Sequence, residues 1–488
     1  MLLKNSLYNS LGGVIRLGLG VISTPILIRI LGLEEYGVWT LASSIVTIAM
    51  LADSGLSFST TFFISQSLFK SDIEELSQTL SIILVVITII STIISISIFF
   101  GATSIFAAFP KLTESQFVIA GSCVQLGAIV VWARLIQQVL IGIEQAYQNY
   151  GVINLVGTFQ VLLMNSGMIA ISFQGGRSID LMKWQVLISI LFLFLNILFV
   201  KYLICGHQLN FKWNRKRFLE ILNYSLSTWV SSLGGVLFGQ VDRLIVGAIL
   251  GVESLGIYSA ITTATVQING LSAMPVQPIV PILSRMNNEF AQNNTDGIRK
   301  IIRKAFEVNC IVALGMGSLF LTFDFLILPI FLGNSQTITH INEFRFATII
   351  YSIYSMNAVG YYIGFGTNSV NMCMKVQILS GIFSLTCIFF GIKYTGLNGA
   401  ILGNSGYCLT LFLTFLGFRK FGIKIAEWMA WIWFPSLSFL ALCISTFLIQ
   451  NDSSLKLLLS IFFTLSLLIW FASCNSKLIR SSLVKIFQ

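Results

Sequence analysis

Charge is what this chain has least of. Asp, Glu, Lys and Arg make up only 10% of its 488 residues, against about a quarter in a soluble globule, so a water-soluble fold is excluded. Histidine is nearly missing: His207 and His340 lie far apart in connectors, and no Ser/His/Asp set, metal-ligand spacing or phosphate-binding glycine loop after a strand is present. Long polar segments are missing too. No connector exceeds about 25 residues, so there is no soluble domain. An intramembrane polymerase or a glycosyltransferase with a lipid-linked donor is expected to carry a substantial outer loop with an acidic pair or a catalytic His, and there is none, nor any D-x-D. The eight cysteines, Cys123, Cys205, Cys310, Cys373, Cys387, Cys408, Cys443 and Cys474, have no paired spacing and read as small packing residues. No small-residue cleavage site follows the first apolar stretch, which Arg16, Pro25 and Arg29 interrupt, so it reads as a span and not as a signal peptide.

What is there is apolar. Hydrophobic residues make up 56% of the chain, with 40 Phe, and the mean hydropathy is +0.87. About fourteen stretches are long enough to cross a bilayer, each needing about 20 mostly apolar residues. They lie near 8–31, 36–64, 77–108, 115–140, 148–173, 181–205, 221–250, 255–282, 305–332, 343–365, 372–392, 397–418, 427–450 and 455–474. With the N-terminus inside, about 19 Lys and Arg fall on the cytoplasmic side and about 7 on the outer side, which predicts an even span number and two cytoplasmic termini. The net charge of +10 is therefore a topology signal and not a nucleic-acid footprint.

The chain also repeats itself. Residues 10–14, SLGGV, recur at 232–236, and ILGLEEYGVW from Ile30 recurs as ILGVESLGIY from Ile249, at offsets of about 222 and 219 residues. An even number of spans separates the copies, so both halves keep one orientation about a pseudo-two-fold axis along the membrane normal. The expectation is an all-α polytopic membrane protein. A six-helix lobe occupies residues 1–206, a second lobe 207–425, and two further helices 426–488. Two such bundles enclose a cleft, which is transporter architecture. The link from His207 to Glu220 mixes basic residues with Phe and Trp and suits either a helix at headgroup level or a charged loop. Pro275, Pro278 and Pro281 predict a broken inner end of the eighth span, covered by protein or lining a cavity.

Ionisable groups at bilayer depth cost from about 2.5 kcal/mol upward and usually face a bundle interior or a wet cavity. Here they are Arg16, Asp53, Arg134, Asp242, Arg243 and Asp324. Asp242 and Arg243 point about 100° apart on a helix, so at least one needs another partner. For each residue the competing reading is an interhelical ion pair, and for Asp53 a local cap beside Ser54 and Gly55. A guanidinium stays charged and grips phosphate oxygens in a bidentate fork, so Arg16, Arg134 and Arg243 are candidates to bind an anionic headgroup. Asp53, Asp242 and Asp324 are candidates for ion coupling or gating.

RILGLEEYGVW with LADSGLS, DRLIVGAILGVESLGIYSA and PIVPILSRM, together with the span count, resemble the polysaccharide-exporter family of lipid-linked oligosaccharide flippases (Wzx-type). Its superfamily also contains lipid II flippases and multidrug and toxin extruders. The resemblance covers essentially the whole chain. The inner connector around Glu144 to Asn149 has no Lys or Arg, a departure from the basic inner loops elsewhere. The resemblance implies a non-enzymatic flippase of the bacterial inner membrane that works by alternating access for O-antigen, capsule or exopolysaccharide synthesis. The implied partners are undecaprenyl-diphosphate-linked oligosaccharide, membrane lipid, and a polysaccharide polymerase and glycosyltransferases. No cofactor is implied beyond coupling to an H+ or Na+ gradient or to the membrane potential. A cation-extruding multidrug antiporter shares the architecture, and its cavity is expected to favour carboxylates without arginines.

Overall fold

The computed structural model describes residues 18–20, 22–70, 72–205, 213–280, 283, 295–367, 369–448 and 453–474. Among them every regular element is helical and none is a strand. Eight helices of the described residues are long and apolar enough to cross a membrane. Of the other expected spans, that at 455–474 falls on one uninterrupted helix, Ser453–Cys474, that at 8–31 lies partly outside the described residues, and the rest fall on helical segments that are shorter, broken or more polar. The chain is thus an all-α polytopic membrane protein. It forms two compact units, Met1–Ala260 and Ile261–Gln488.

In the first unit, residues 22–31 form α1. It is followed by α2 (Leu33–Ala49), α3 (Ser54–Lys70), α4 (Ile73–Phe106), α5 (Glu114–Ala146), α6 (Tyr150–Phe173), α7 (Ser178–Ile204), α8 (Arg215–Leu250) and the start of α9 (Val252–Ala273). α5 is the axis of this unit and packs against α2, α3, α4, α6 and α7. Its sequence suits that place: Ala120, Gly127, Ala128, Ala133 and Gly142 are buried on it, and small residues let neighbouring backbones approach. A capping box of Thr113 and Gln116 starts α5, satisfying two of the donors a helix leaves open. α4 turns the other way: Ile89, Ile93, Ile96 and Phe100 are exposed, which in a bilayer is a lipid-facing stripe, while Ser77, Thr79 and Ser91 face inward.

Two expectations change in this unit. The stretch at 36–64 is not one helix. A 3-10 turn over Met50–Asp53 divides it into α2 and α3. The tighter turn frees the Leu51 carbonyl to accept from Trp229 Nε1 at 2.9 Å, and it seats α3 so closely on α8 that a Cβ on Gly55 would lie 2.1 Å from the Ser225 carbonyl. The basic link before Glu220 is neither a separate surface helix nor a loop over 215–220: Asn214 caps α8 there, and Arg217 is buried against Glu75 at 2.7 Å and over the Phe63 ring at 4.6 Å. α8 packs on α2 and α3 and lies in the first compact unit.

The duplicated motif explains its own glycines. Gly32 and Gly251 end on the same backbone, φ 82° and ψ 163° against φ 93° and ψ 174°, a left-handed region that a Cβ disfavours. Five residues on, the two copies meet reciprocally. A Cβ on Gly37 would lie 1.8 Å from the Val252 carbonyl oxygen, and one on Gly256 2.3 Å from that of Leu33.

The second unit continues with α10 (Thr295–Thr322), α11 (Asp324–Leu332), α12 (Asn334–Ser355), α13 (Ala358–Gly366), α14 (Val370–Thr395) and α15 (Leu397–Gly403). After a 3-10 segment over Asn404–Thr410 come α16 (Leu411–Lys420), α17 (Ile425–Leu448) and α18 (Ser453–Cys474). α10 is its axis, with α12, α17 and α18 packed on it. The proline-rich end of the eighth span is broken as expected: α9 stops at Ala273 and residues 274–278 form turns, while Pro281 is outside the described residues. Gly399 lies against the Gly391 backbone and Gly403 against Ile388, so α14 and α15 touch main chain to main chain.

Candidate functional site

The first unit contains a cavity of about 470 Å³ between α5 and α6. Arg134, Gln137, Gln138, Ile141 and Gln145 of α5 line it, and their spacing places them on one helical face. α3 packs alongside this face: Ser57 Oγ donates to the Gln138 carbonyl at 3.1 Å, and Thr61 Oγ1 to the Gly142 carbonyl at 3.1 Å and to Gln145 Oε1 at 3.2 Å. From α6 come Asn154 and Gln160. Gln137 and Gln160 donate to each other's side-chain oxygens, at 2.9 and 3.2 Å, and tie the two helices together at the wall. The lining thus offers five side-chain amides and one cation, with no carboxylate among the described residues.

Arg134 also lines a second cavity of about 290 Å³ with Trp39, Ser43, Thr47 and Asn165, so it stands where the two meet. Arg134 Nε, Trp39 Nε1 and Ser43 Oγ are all buried without a hydrogen-bond partner, and no ion pair to Arg134 occurs among the described residues. Burying a polar group without a partner costs on the order of 1–3 kcal/mol. Three such donors around one cavity need acceptors, and a ligand rich in oxygen supplies them.

The other candidates are placed differently. Arg16 is outside the described residues. Asp53 ends the 3-10 turn before α3, and its side chain is also outside them. Asp242 on α8 is buried; its Oδ1 accepts from the Arg243 backbone N–H at 2.7 Å and its Oδ2 from Tyr258 Oη at 2.8 Å. The partner that the adjacent Asp242 and Arg243 require is therefore a tyrosine on α9. Arg243 is half-buried and acts on Tyr36 of α2. Asp324 belongs to the second unit, where it opens α11 fully buried and accepts from Arg345 Nε at 2.7 Å. That is the interhelical ion pair that was the alternative reading for this residue. Sequence reasoning missed the amides of α5 and α6; the signal for them was five Gln and Asn side chains within two otherwise apolar spans.

The sequence matches the profile of the polysaccharide biosynthesis protein family over residues 2–287. The chain belongs to that family. No curated protein matches it in sequence. Solved structures show the same fold across this member of the family. The lipid II flippase MurJ in an inward closed conformation superposes with a TM-score of 0.74 at 15% identity, covering 97% of this chain and 99% of that one. An inward-facing multidrug resistance MATE transporter of the MOP superfamily gives 0.66 at 14% identity, over 86% and 94%. A MOP-superfamily transporter from Pyrococcus furiosus, described by a binding pocket of reversed polarity, gives 0.58 at 15% identity, over 86% and 96%.

Proposed function

We propose that the protein is a flippase for lipid-linked saccharides, carrying undecaprenyl-diphosphate-linked oligosaccharide from the cytoplasmic to the outer leaflet of a bacterial inner membrane by alternating access. The observation that carries this reading is the cavity at Arg134. A fixed cation and buried donors without partners suit phosphate or acidic-sugar oxygens. The five amides beside them each offer a donor and an acceptor to sugar hydroxyls. Family membership supports a role in making O-antigen, capsule or exopolysaccharide, with glycosyltransferases supplying the lipid-linked unit and a polymerase consuming it. Nothing in this reading calls for bond-making by the protein itself.

Arg16 and Arg243 remain proposed as further grips on the diphosphate, and Asp53, Asp242 and Asp324 as coupling or gating groups. Asp242 and Asp324, each already held by a partner in the bundle, are the weaker members of that set for ion exchange. A cation-extruding antiporter needs carboxylates in its cavity, and this lining has none among the described residues. The test is complementation of a deletion strain. Wild type restores surface polysaccharide, Arg134→Ala does not although it reaches the membrane, and full activity of Arg134→Ala would remove the cavity from the mechanism.

A further inference from the structure

Six carboxylates are buried among the described residues: Glu35, Glu144, Asp242, Glu307, Asp324 and Glu343. Five of these have partners. Glu35 accepts from the Ser178 backbone N–H at 3.0 Å, Asp242 from Tyr258 at 2.8 Å, Glu307 from Arg303 at 2.8 Å and Asp324 from Arg345 at 2.7 Å, and Glu343 is 3.3 Å from His340 Nδ1. Glu144 stands apart. It is 1% exposed, its Oε1 has no hydrogen-bond partner, and no neighbouring charge acts on it.

Its place in the fold is next to the cavity. At about 100° per residue, Glu144 projects within about 20° of Gln137 and about 60° of Ile141, both of which line the cavity. Glu144 itself does not line it, so its carboxyl sits behind the wall near the end of α5. Tyr147, three residues on, also has a buried hydroxyl without a partner. The charged and titratable groups of the packed elements are engaged or turned away. On α3 and α4, Lys70 pairs with Glu75, which also holds Arg217, and Glu74 is exposed. On α7, Asp180 and Lys183 pair with each other, and Lys201 and Tyr202 are exposed. On α2, Glu34 accepts from Gln116 and Glu35 from Ser178. α6 brings only Tyr150, which lines the cavity. Arg134 on α5 lines it too, and the Asp53 side chain at the end of the 3-10 turn is outside the described residues.

An ionised carboxylate buried without a cation or donors is several kcal/mol out of balance, whereas a neutral carboxyl fits such packing. We propose that Glu144 is a proton-binding group of the transport cycle: its carboxyl holds a proton in the packing seen here, holds it more firmly while the anionic lipid headgroup is in the cavity, because a nearby negative charge disfavours the carboxylate, and releases it to water once the headgroup has left and the packing opens. The proton returns as the packing closes again for the next headgroup. The cycle part of this rests on the flippase reading, and the proton content of Glu144 does not.

Infrared titration of the purified full chain in lipid nanodiscs tests both parts. The expected result is a protonated-carboxyl band that persists at neutral pH, disappears in Glu144→Gln and is unchanged in Asp324→Asn. Glu144→Asp, which keeps an acid and shifts the band, serves if the Gln variant does not assemble. Undecaprenyl diphosphate is the probe, its binding followed separately by quenching of tryptophan fluorescence. Bound probe should move the loss of the wild-type band to higher pH. A neutral-pH band unaffected by either Glu144 variant overturns the assignment, and a band lost at the same pH with and without bound probe overturns the coupling. A probe that does not bind counts against the flippase reading alone.

Discussion

At the scale of single residues, Arg134 carries the account. A charge within an apolar run is conspicuous in a sequence, so this residue was legible before any fold was known. The amides around it were not, because Gln and Asn occur in many spans and only the pairing of α5 with α6 selects Gln137, Gln138, Gln145, Asn154 and Gln160. Replacing Arg134 by Ala should lower transport by about tenfold to a hundredfold, the loss of a charge-assisted hydrogen bond of about 1.5–3 kcal/mol. Lys, a point charge without the fork, should recover only part. In a double-mutant cycle of Gln137→Leu and Gln160→Leu, the pair should show a coupling of about 0.5–3 kcal/mol in thermal stability; strict additivity would mean that the two amides do not act together. Asp324 shows the other limit of reading residues singly. Its partner Arg345 is 21 positions away around the α11–α12 corner, so the sequence offered a buried charge but not its neutraliser. Asp324→Asn alone should cost about 3–5 kcal/mol, and Asp324→Leu with Arg345→Met should recover most of it. Melting of the detergent-solubilised variants decides between a structural pair and a transport residue.

At the scale of elements, the repeat proved informative beyond its use for counting spans. The copies ILGLEEYG and ILGVESLG place Gly37 and Gly256 against the Val252 and Leu33 carbonyls, so the small residues are needed for main-chain contact. Gly37→Ala should overpack this contact and cost about 1–3 kcal/mol, lowering the melting temperature, and Gly256→Ala should do the same. A neutral result at both would show that α2 and α9 separate easily. What the sequence did not reveal were the breaks. The interruption at Met50–Asp53 contains no proline, and it answers to Trp229 and Ser225, residues on a helix far along the chain. The break after Ala273 was legible because its cause, a run of prolines, is local.

At the scale of the whole molecule, hydropathy alone determined the class, since a chain with so few charges has no soluble alternative. The substrate is a different matter: the sugar sequence of a lipid-linked unit is read by amide and hydroxyl groups that every span supplies. Moving two negative charges outward across an inside-negative membrane is favoured by roughly 2.3 kcal/mol per charge per 100 mV. Collapse of the potential should therefore slow export even where ion gradients are kept. The most direct test of the flippase reading is the leaflet location of undecaprenyl-diphosphate-linked oligosaccharide in a host from which this chain is deleted. The account predicts that the unit accumulates on the cytoplasmic leaflet, and that wild type but not Arg134→Ala returns it to the outer one. Undiminished arrival at the outer leaflet without the protein would contradict it.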